Sequence, residues 1–319
     1  MQLVDVLRAR CRIAPYVRLT PLASSTWLSD ISGGDVALKL ESLQHSHSFK
    51  FRGAFNAVLA RLEQPGSASL RLVTASAGNH GRALAEAAEK FGLPLVVFTP
   101  ADAPATKLTA IRRHGADLRA VGSDYDAAER MAKAHATESG AVYISPYSDT
   151  DVIAGAATVA LEIFEDAADT AVLVVPVGGG GLISGVALAA KAINSGCEVV
   201  GVEVEASCPF QTSVRAGRLV EIVPGATLAD GLGGNPDPDT ITFDLIQRFV
   251  DRIVTVSEED LSAAVVGLVE SDHLVAEGAG AAATAAVAAR RVDVSGRKAV
   301  VIVSGANIDR RKLGALLQR

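Results

Sequence analysis

The chain's 319 residues give length for about two domains with a well-buried core, and 49% apolar with 21% charged residues excludes a disordered chain or a small disulfide scaffold. Thirty basic against thirty-six acidic residues leave a formal charge of −6, with nothing to attract a phosphate backbone, so nucleic acid is excluded as a partner. Cys11, Cys197 and Cys208 form no CxxC pair, and no uncharged run approaches the roughly 20 residues that span a bilayer, which points to a cytoplasmic protein without a membrane segment.

In chain order, short β-rich apolar runs occur at Val36–Leu40, Arg71–Ala75, Leu95–Thr99, Asp117–Val121, Ala141–Ile144, Ala171–Val177, Glu198–Val204 and Lys298–Ser304. They alternate with helical patterns near 50–63, 79–91, 125–138, 181–194, 258–271 and 278–290, which predicts an α/β fold with mainly parallel strands. Aromatic residues reach only 4% while Ala and Gly abound, as expected for helices packed closely on a sheet. The turn-rich run Gln64–Ser69 and the loop Ser145–Thr150 bracket four of the strands. This predicts a smaller domain over 68–147, inserted into a larger one made of 1–67 and 148–319. A further stretch, Ala229–Thr240, is too long and too rich in Gly and Pro for an ordinary connection; it is a functional loop or a surface excursion.

Four loops carry side chains suited to chemistry. The first, Ser46 to Gly53, places Lys50 where a helix starts. A cation at the positive end of a helix dipole is disfavoured, so its amine is expected to titrate low and to suit Schiff-base chemistry; alone, it also fits a solvated surface lysine. The second, Ser76-Ala77-Gly78-Asn79-His80-Gly81, leads from a strand into a helix and offers backbone N–H groups to carboxylate or phosphate oxygens. A turn capped by Ser76 or Asn79 accounts for it equally well. The third, Gly178-Gly179-Gly180-Gly181, opens a helix directly after a strand. Four glycines there point to a group that approaches the backbone closely, a phosphate dianion first, with a plain tight turn as the other reading. Nucleotide fingerprints do not fit, because the last position of GxGxxG falls on Ile183 or Ser184 and no GK[ST] follows. The fourth, Ser304-Gly305-Ala306-Asn307, ends a strand and puts a hydroxyl on the ligand-binding edge of a parallel sheet.

Taken together and in this order, SFKFRGA, SAGNHG, GGGGL and SGAN resemble the motifs of the fold-type II pyridoxal-phosphate enzymes, in the threonine dehydratase and serine racemase branch. TPL at Thr20–Leu22, IAGAAT at Ile153–Thr158 and AEGAGAAA at Ala276–Ala283 extend the likeness over nearly the whole chain. The resemblance implies a tryptophan synthase β-like fold of two open, twisted, mostly parallel sheets flanked by helices. It further implies pyridoxal 5'-phosphate joined to Lys50, with Phe49 beside the ring and Asn79 on the ring hydroxyl. Gly178 through Gly181 would hold the phosphate and Ser304 the pyridine nitrogen, while Ser76, Gly78, Asn79 and His80 would hold the substrate carboxylate.

Several positions depart from the pattern. His47 stands where the family often has Gly, Arg82 where it has Gln or Ala, Ala156-Ala157 for Gln-Gly, and Ala306 for Gly. His47 and Arg82 are candidates to touch a substrate side chain, although an exposed helix-start His and a solvated Arg fit as well. For the family's divalent cation Glu203 is a candidate ligand, but Pro209 falls where a ligating Asp belongs, which leaves cation dependence open.

The activity so implied is β-elimination of water from a β-hydroxy amino acid, most simply L-threonine or L-serine, to a 2-oxo acid and ammonia. Alternatives on the same scaffold are a serine racemase and a dehydratase of 3-hydroxyaspartate or phenylserine. The racemase branch has a serine at the position of Ala77 as second proton donor, and alanine has no proton to give. A cysteine-synthase-like transferase fits less well, since Lys50 is followed by Phe51-Arg52-Gly53. A non-catalytic binding module would not need every cofactor contact. The chain ends soon after SGAN, so no C-terminal regulatory domain is expected. The family likeness also implies a homodimer or larger homo-oligomer, with an amino-acid substrate as its small-molecule partner.

Overall fold

Apolar runs of valine and isoleucine form strands buried on both faces, as parallel strands covered by helices must be. The computed structural model describes residues 1–318 apart from 102, 104 and 123. Its elements begin with α1 (Leu3–Ile13), β1 (Leu22–Ser24), α2 (Thr26–Ser32), β2 (Asp35–Leu40), α3 (Lys50–Leu62), β3 (Leu72–Ala75), α4 (Asn79–Lys90) and β4 (Leu95–Thr99). They continue with α5 (Ala105–Arg112), β5 (Asp117–Ala120), α6 (Tyr125–Ser139), β6 (Val142–Tyr143), α7 (Thr150–Asp166), β7 (Val172–Pro176), α8 (Gly181–Ile193) and β8 (Glu198–Val204). The chain closes with α9 (Pro209–Ala216), α10 (Thr242–Phe249), β9 (Arg252–Val256), α11 (Glu258–Ser271), α12 (Gly278–Ala288), β10 (Lys298–Val303) and α13 (Arg310–Leu316).

Six strands form one sheet in the order β1-β2-β10-β7-β8-β9, parallel except for β1 against β2. A second sheet, β5-β4-β3-β6, is parallel throughout, and all its strands lie between residues 72 and 143. From these two sheets we propose domain limits near 67/68 and 147/148. No helix among the described residues is long and apolar enough to cross a membrane.

Each strand expected from sequence is present, with ends shifted by a residue or two. Edge strands β1 and β9 were not anticipated, nor were helices α1, α2, α5, α9, α10, α13 and the longest of the group, α7. That helix is buried continuously from Val152 to Phe164, so it shows no polar face for a helical period to reveal. It lies deep because its neighbours come close: a Cβ at Gly155 would stand 2.5 Å from the Arg52 carbonyl oxygen, and one at Gly185 would stand 2.6 Å from the Ile153 carbonyl oxygen. Helices α3, α7 and α8 therefore cross almost backbone to backbone.

Beneath α3 the packing encloses charge. Arg52 and Lys39 are fully buried, and Arg52 grips both oxygens of Glu41 at 2.8 Å and those of Glu162 at 2.5 and 2.9 Å. Lys39 Nζ donates to Glu162 at 2.6 Å and to the Thr20 carbonyl at 2.6 Å. Two cations and two carboxylates thus balance in a buried layer under the helix that begins with Lys50.

Candidate active site

Strands β2, β3, β7 and β10 all deliver their carboxyl ends to one edge, where the two sheets face each other. The four motif loops leave from those ends, the position at which open α/β sheets bind ligands. Their connections are direct. Phe49 N donates to the Ser304 carbonyl at 3.0 Å, Ala306 N donates to the His47 carbonyl at 2.9 Å, and Ser48 pairs with Gly305 in an isolated bridge. Helix α12 seats the last loop, since a Cβ at Gly280 would lie 2.1 Å from the Gly305 oxygen.

Between the loops lies a cavity of about 350 Å³ lined by Phe49, Lys50, Ser76, Ala77, Gly78, Asn79, His80, Gly178 to Gly181 and Ser304. All the residues that the sequence nominated for cofactor and substrate carboxylate therefore meet in one place. A larger cavity of about 500 Å³ runs between α6 and the segments 219–221 and 235–239 and contains none of them.

Lys50 is the first residue of α3, and its Nζ donates to the Pro146 carbonyl at 2.6 Å and lies 5.1 Å from the centre of the Phe49 ring. Burial lowers its amine from 10.5 to about 8, so a low-titrating amine is present, with desolvation as its cause. With the charged form disfavoured, the neutral amine becomes the main species once pH rises above about 8. The rate at which the cofactor-free protein takes up pyridoxal phosphate is therefore expected to rise with pH, to be half-maximal near 8 and to level off above it; a half-maximum near 10.5 would contradict the buried position.

The turn at 76–81 is organised differently from the sequence reading. Gly78 occupies the N-cap of α4, while Ser76 Oγ accepts from Gly78 N at 3.2 Å and Gly81 N at 3.0 Å. A Cβ at Gly78 would meet nothing within 4 Å, so this backbone faces open cavity. His80 is buried below it, and burial followed by the nearby Lys50 charge lowers its imidazole to about 3, leaving the ring neutral.

The glycine loop also has a reason that the sequence did not show. A Cβ at Gly179 would lie 2.3 Å from the Tyr147 ring, one at Gly178 would lie 2.9 Å from the Gly231 oxygen, and Gly180 has φ +86° against Thr242. Protein neighbours alone thus demand glycine here. What speaks for an anion is the open first turn of α8, whose N–H groups have no acceptor within the helix.

His47 and Arg82 do not line the cavity. His47 has φ +60°, which accounts for the family's usual glycine at this position. Arg82 donates to Asn307 instead. Glu203 accepts from Phe210 N at 2.9 Å and Gln211 N at 2.7 Å, so both its oxygens hold the first turn of α9, which Pro209 opens. Among the described residues no group of three or more His, Cys, Asp or Glu side chains is gathered about it or elsewhere to hold a metal ion.

The sequence gives no role to Glu277, Tyr147 or Tyr125, and these line the cavity together with residues 230–235. Glu277 accepts from Asn79 Nδ2 at 2.6 Å, and burial pushes its carboxyl up to about 7 against that hydrogen bond. One signal was available: a lone carboxylate opening the apolar run 276–283. Segment 230–235 confirms Ala229–Thr240 as a loop that reaches the site.

Comparison with known proteins agrees with this geometry. Residues 13–305 match the family of pyridoxal-phosphate dependent enzymes. An L-threonine ammonia-lyase of Thermotoga maritima is 40% identical over 317 residues, 99% of this chain and 78% of the relative. An L-threo-3-hydroxyaspartate ammonia-lyase of Saccharomyces cerevisiae is 36% identical, covering 98% of this chain and 95% of the relative. Maize serine racemase superposes with a TM-score of 0.92 at 32% identity, covering 99% of this chain and 97% of that one. A low-titrating lysine, an open helix N-terminus and a strand-end serine converge in one cavity within a span that the family matches almost end to end, and the chain belongs to the pyridoxal-phosphate dependent enzymes.

Proposed function

We propose that the protein is an ammonia-lyase that eliminates water from L-threonine or L-serine and releases a 2-oxo acid and ammonia. One observation carries the choice of reaction: of the lysines among the described residues that line the cavity, Lys107 is paired with Asp230 and Lys50 is suited to act as base, while Ala77, at the position the resemblance gives to the racemase branch's proton-donating serine, lines the same cavity without a proton to give.

The residues present fit the cofactor. Lys50 would offer a primary amine for its aldehyde, the first turn of α8 with Gly178 to Gly181 would offer N–H donors for its phosphate, and the Ser304 hydroxyl would serve its ring nitrogen. Phe49 would lie beside the ring and Asn79 would donate to the ring oxygen. When bound, the cofactor supplies the electron sink for a carbanion at the substrate α-carbon. A hydroxyl at the ring nitrogen, unlike a carboxylate, does not enforce a protonated ring, so prompt loss of a β-substituent is favoured over prolonged carbanion chemistry. Ser76, Gly78, Asn79 and His80 hold the substrate carboxylate; with its imidazole neutral, His80 adds no charge there. Lys50 takes the α-proton, and its ammonium then stands ready to protonate the departing hydroxyl. The enzyme is further taken to act in the cytoplasm and as a homo-oligomer; sedimentation of the purified protein checks the oligomer.

A second substrate, 3-hydroxyaspartate, has two supports. The yeast relative is named for it, and Lys107 is the cavity's other cation among the described residues, paired with Asp230 at 2.5 Å. Incubation with L-threonine, L-serine, D-serine, 3-hydroxyaspartate and phenylserine, followed by 2-oxo acid assay, decides among them. No 2-oxo acid from any of the five would overturn the lyase reading.

The Ala77→Ser variant tests the missing donor. Wild type is expected to form little D-serine while deaminating L-serine, and Ala77→Ser to raise α-epimerisation to a measurable level. Chiral chromatography reads both. Wild type that racemises serine as fast as it forms pyruvate would require another proton donor and favour the racemase.

A further inference from the structure

Behind the cavity wall, four side chains form a hydrogen-bond chain with one direction. Arg82, in the first turn of α4, donates Nη1 to Asn307 Oδ1 at 2.7 Å. Asn307 donates Nδ2 to Asn79 Oδ1 at 2.7 Å and to the Ser46 carbonyl at 2.9 Å. Asn79 donates Nδ2 to Glu277 Oε1 at 2.6 Å.

An asparagine amide can face either way, and its neighbours decide which. A guanidinium has no acceptor and a backbone carbonyl has no donor. Asn307 must therefore turn its oxygen to Arg82 and its nitrogen to Ser46. That nitrogen also faces Asn79, so Asn79 must answer with its oxygen, which leaves its nitrogen toward Glu277. An amide nitrogen carries two hydrogens, and Glu277 takes one. The other belongs to a residue that lines the cavity. The chain crosses between the two sheets: Arg82 and Asn79 follow β3, Asn307 follows β10, and Glu277 precedes α12.

We propose that Arg82 and Asn307 are positioning residues that fix the amide polarity of Asn79, so that its spare N–H rather than its carbonyl is presented to the ring oxygen of the cofactor. The inference rests on the reading above that Asn79 meets that oxygen. With the amide reversed, a carbonyl would face the ring oxygen and disfavour its ionised form; with the amide as found, an N–H donor favours that form.

Asn307→Asp replaces the donor with two acceptors, so Asn79 must turn its nitrogen toward residue 307 and lose the donor to the ring. Arg82→Met leaves the Ser46 carbonyl as the one group of fixed polarity that orients the Asn307 amide, and Arg82→Lys restores a donor without an acceptor. Each variant is loaded with pyridoxal phosphate, and its visible absorption is titrated across neutral and alkaline pH beside cofactor affinity and melting temperature. In Asn307→Asp the ratio of the ring-ionised to the ring-neutral form is expected to fall about tenfold, with cofactor Kd rising about tenfold. Arg82→Met is expected to shift the ratio about threefold, and Arg82→Lys to recover most of that shift. A purely structural role would lower the melting temperature and leave the ratio unmoved.

Arg82 is only half-buried, so its substitution opens no hole in a core, and Arg82→Met decides the matter if Asn307→Asp does not fold. Folded variants that keep the wild-type ratio, with Kd within about twofold, overturn the inference alone. A wild type that develops no visible band with pyridoxal phosphate overturns the site reading, and this inference with it.

Discussion

Lys50→Ala is expected to abolish turnover and the visible absorption of bound cofactor while leaving the fold intact. Two losses combine in this variant. The covalent anchor disappears, and with it the base at the α-carbon; a positioned base alone is worth about 10² to 10⁴ in rate. The structural loss is small, because Lys50 donates its one hydrogen bond to the Pro146 carbonyl and its charged form is already penalised by burial. Removing it should therefore not lower the melting temperature of the cofactor-free protein. Absorption spectra, 2-oxo acid release and thermal melting measure the three effects separately. A Lys50→Ala protein with full activity and an unchanged visible band would sink the assignment of the cavity as the catalytic centre.

Arg52→Met is expected to lower stability by about 3–5 kcal/mol, the typical effect of removing one partner from a buried ion pair. Methionine fills much of the arginine stem's volume, so the loss is electrostatic rather than a cavity. Glu41 and Glu162 would be left with Lys39 as the one cation among the buried set, in a layer where Glu41 is wholly buried and Glu162 is 6% exposed. Urea denaturation reads the change as a lower midpoint. Adding Glu41→Gln to Arg52→Met should recover part of the loss by removing the uncompensated charge. If the double variant is no more stable than Arg52→Met, uncompensated charge is not what destabilises the protein.

Strands could be found by sequence because two-sided burial writes itself as unbroken apolar runs, as in Val172–Val175 and Ala299–Val303. The same burial hid α7, since a helix covered on all sides has no period to detect. The loop motifs were also legible. A lysine at a helix start, four glycines after a strand and a serine at a strand end are local patterns, and each loop leaves the carboxyl end of a parallel strand.

Roles that depend on distant partners were not legible. Glu203 had the chemistry of a metal ligand, yet the fold brings Phe210 N and Gln211 N onto its two oxygens and makes it a helix cap. The glycines at 178–181 announced a close approach, but the sequence could not say that Tyr147 and Thr242 are among the atoms that approach. Arg82 was a candidate for the substrate until β10 delivered Asn307 to it.

By itself, then, the sequence determined the α/β class and the order of the four loops, because these follow from hydrophobic period and local residue type. Tertiary structure alone decided the depth of Lys50, which sets its low titration, and the direction of the Arg82-Asn307-Asn79-Glu277 chain. Both depend on groups brought together from segments more than 90 residues apart, Lys50 with Pro146 and Arg82 with Asn307, and no local propensity encodes such a meeting.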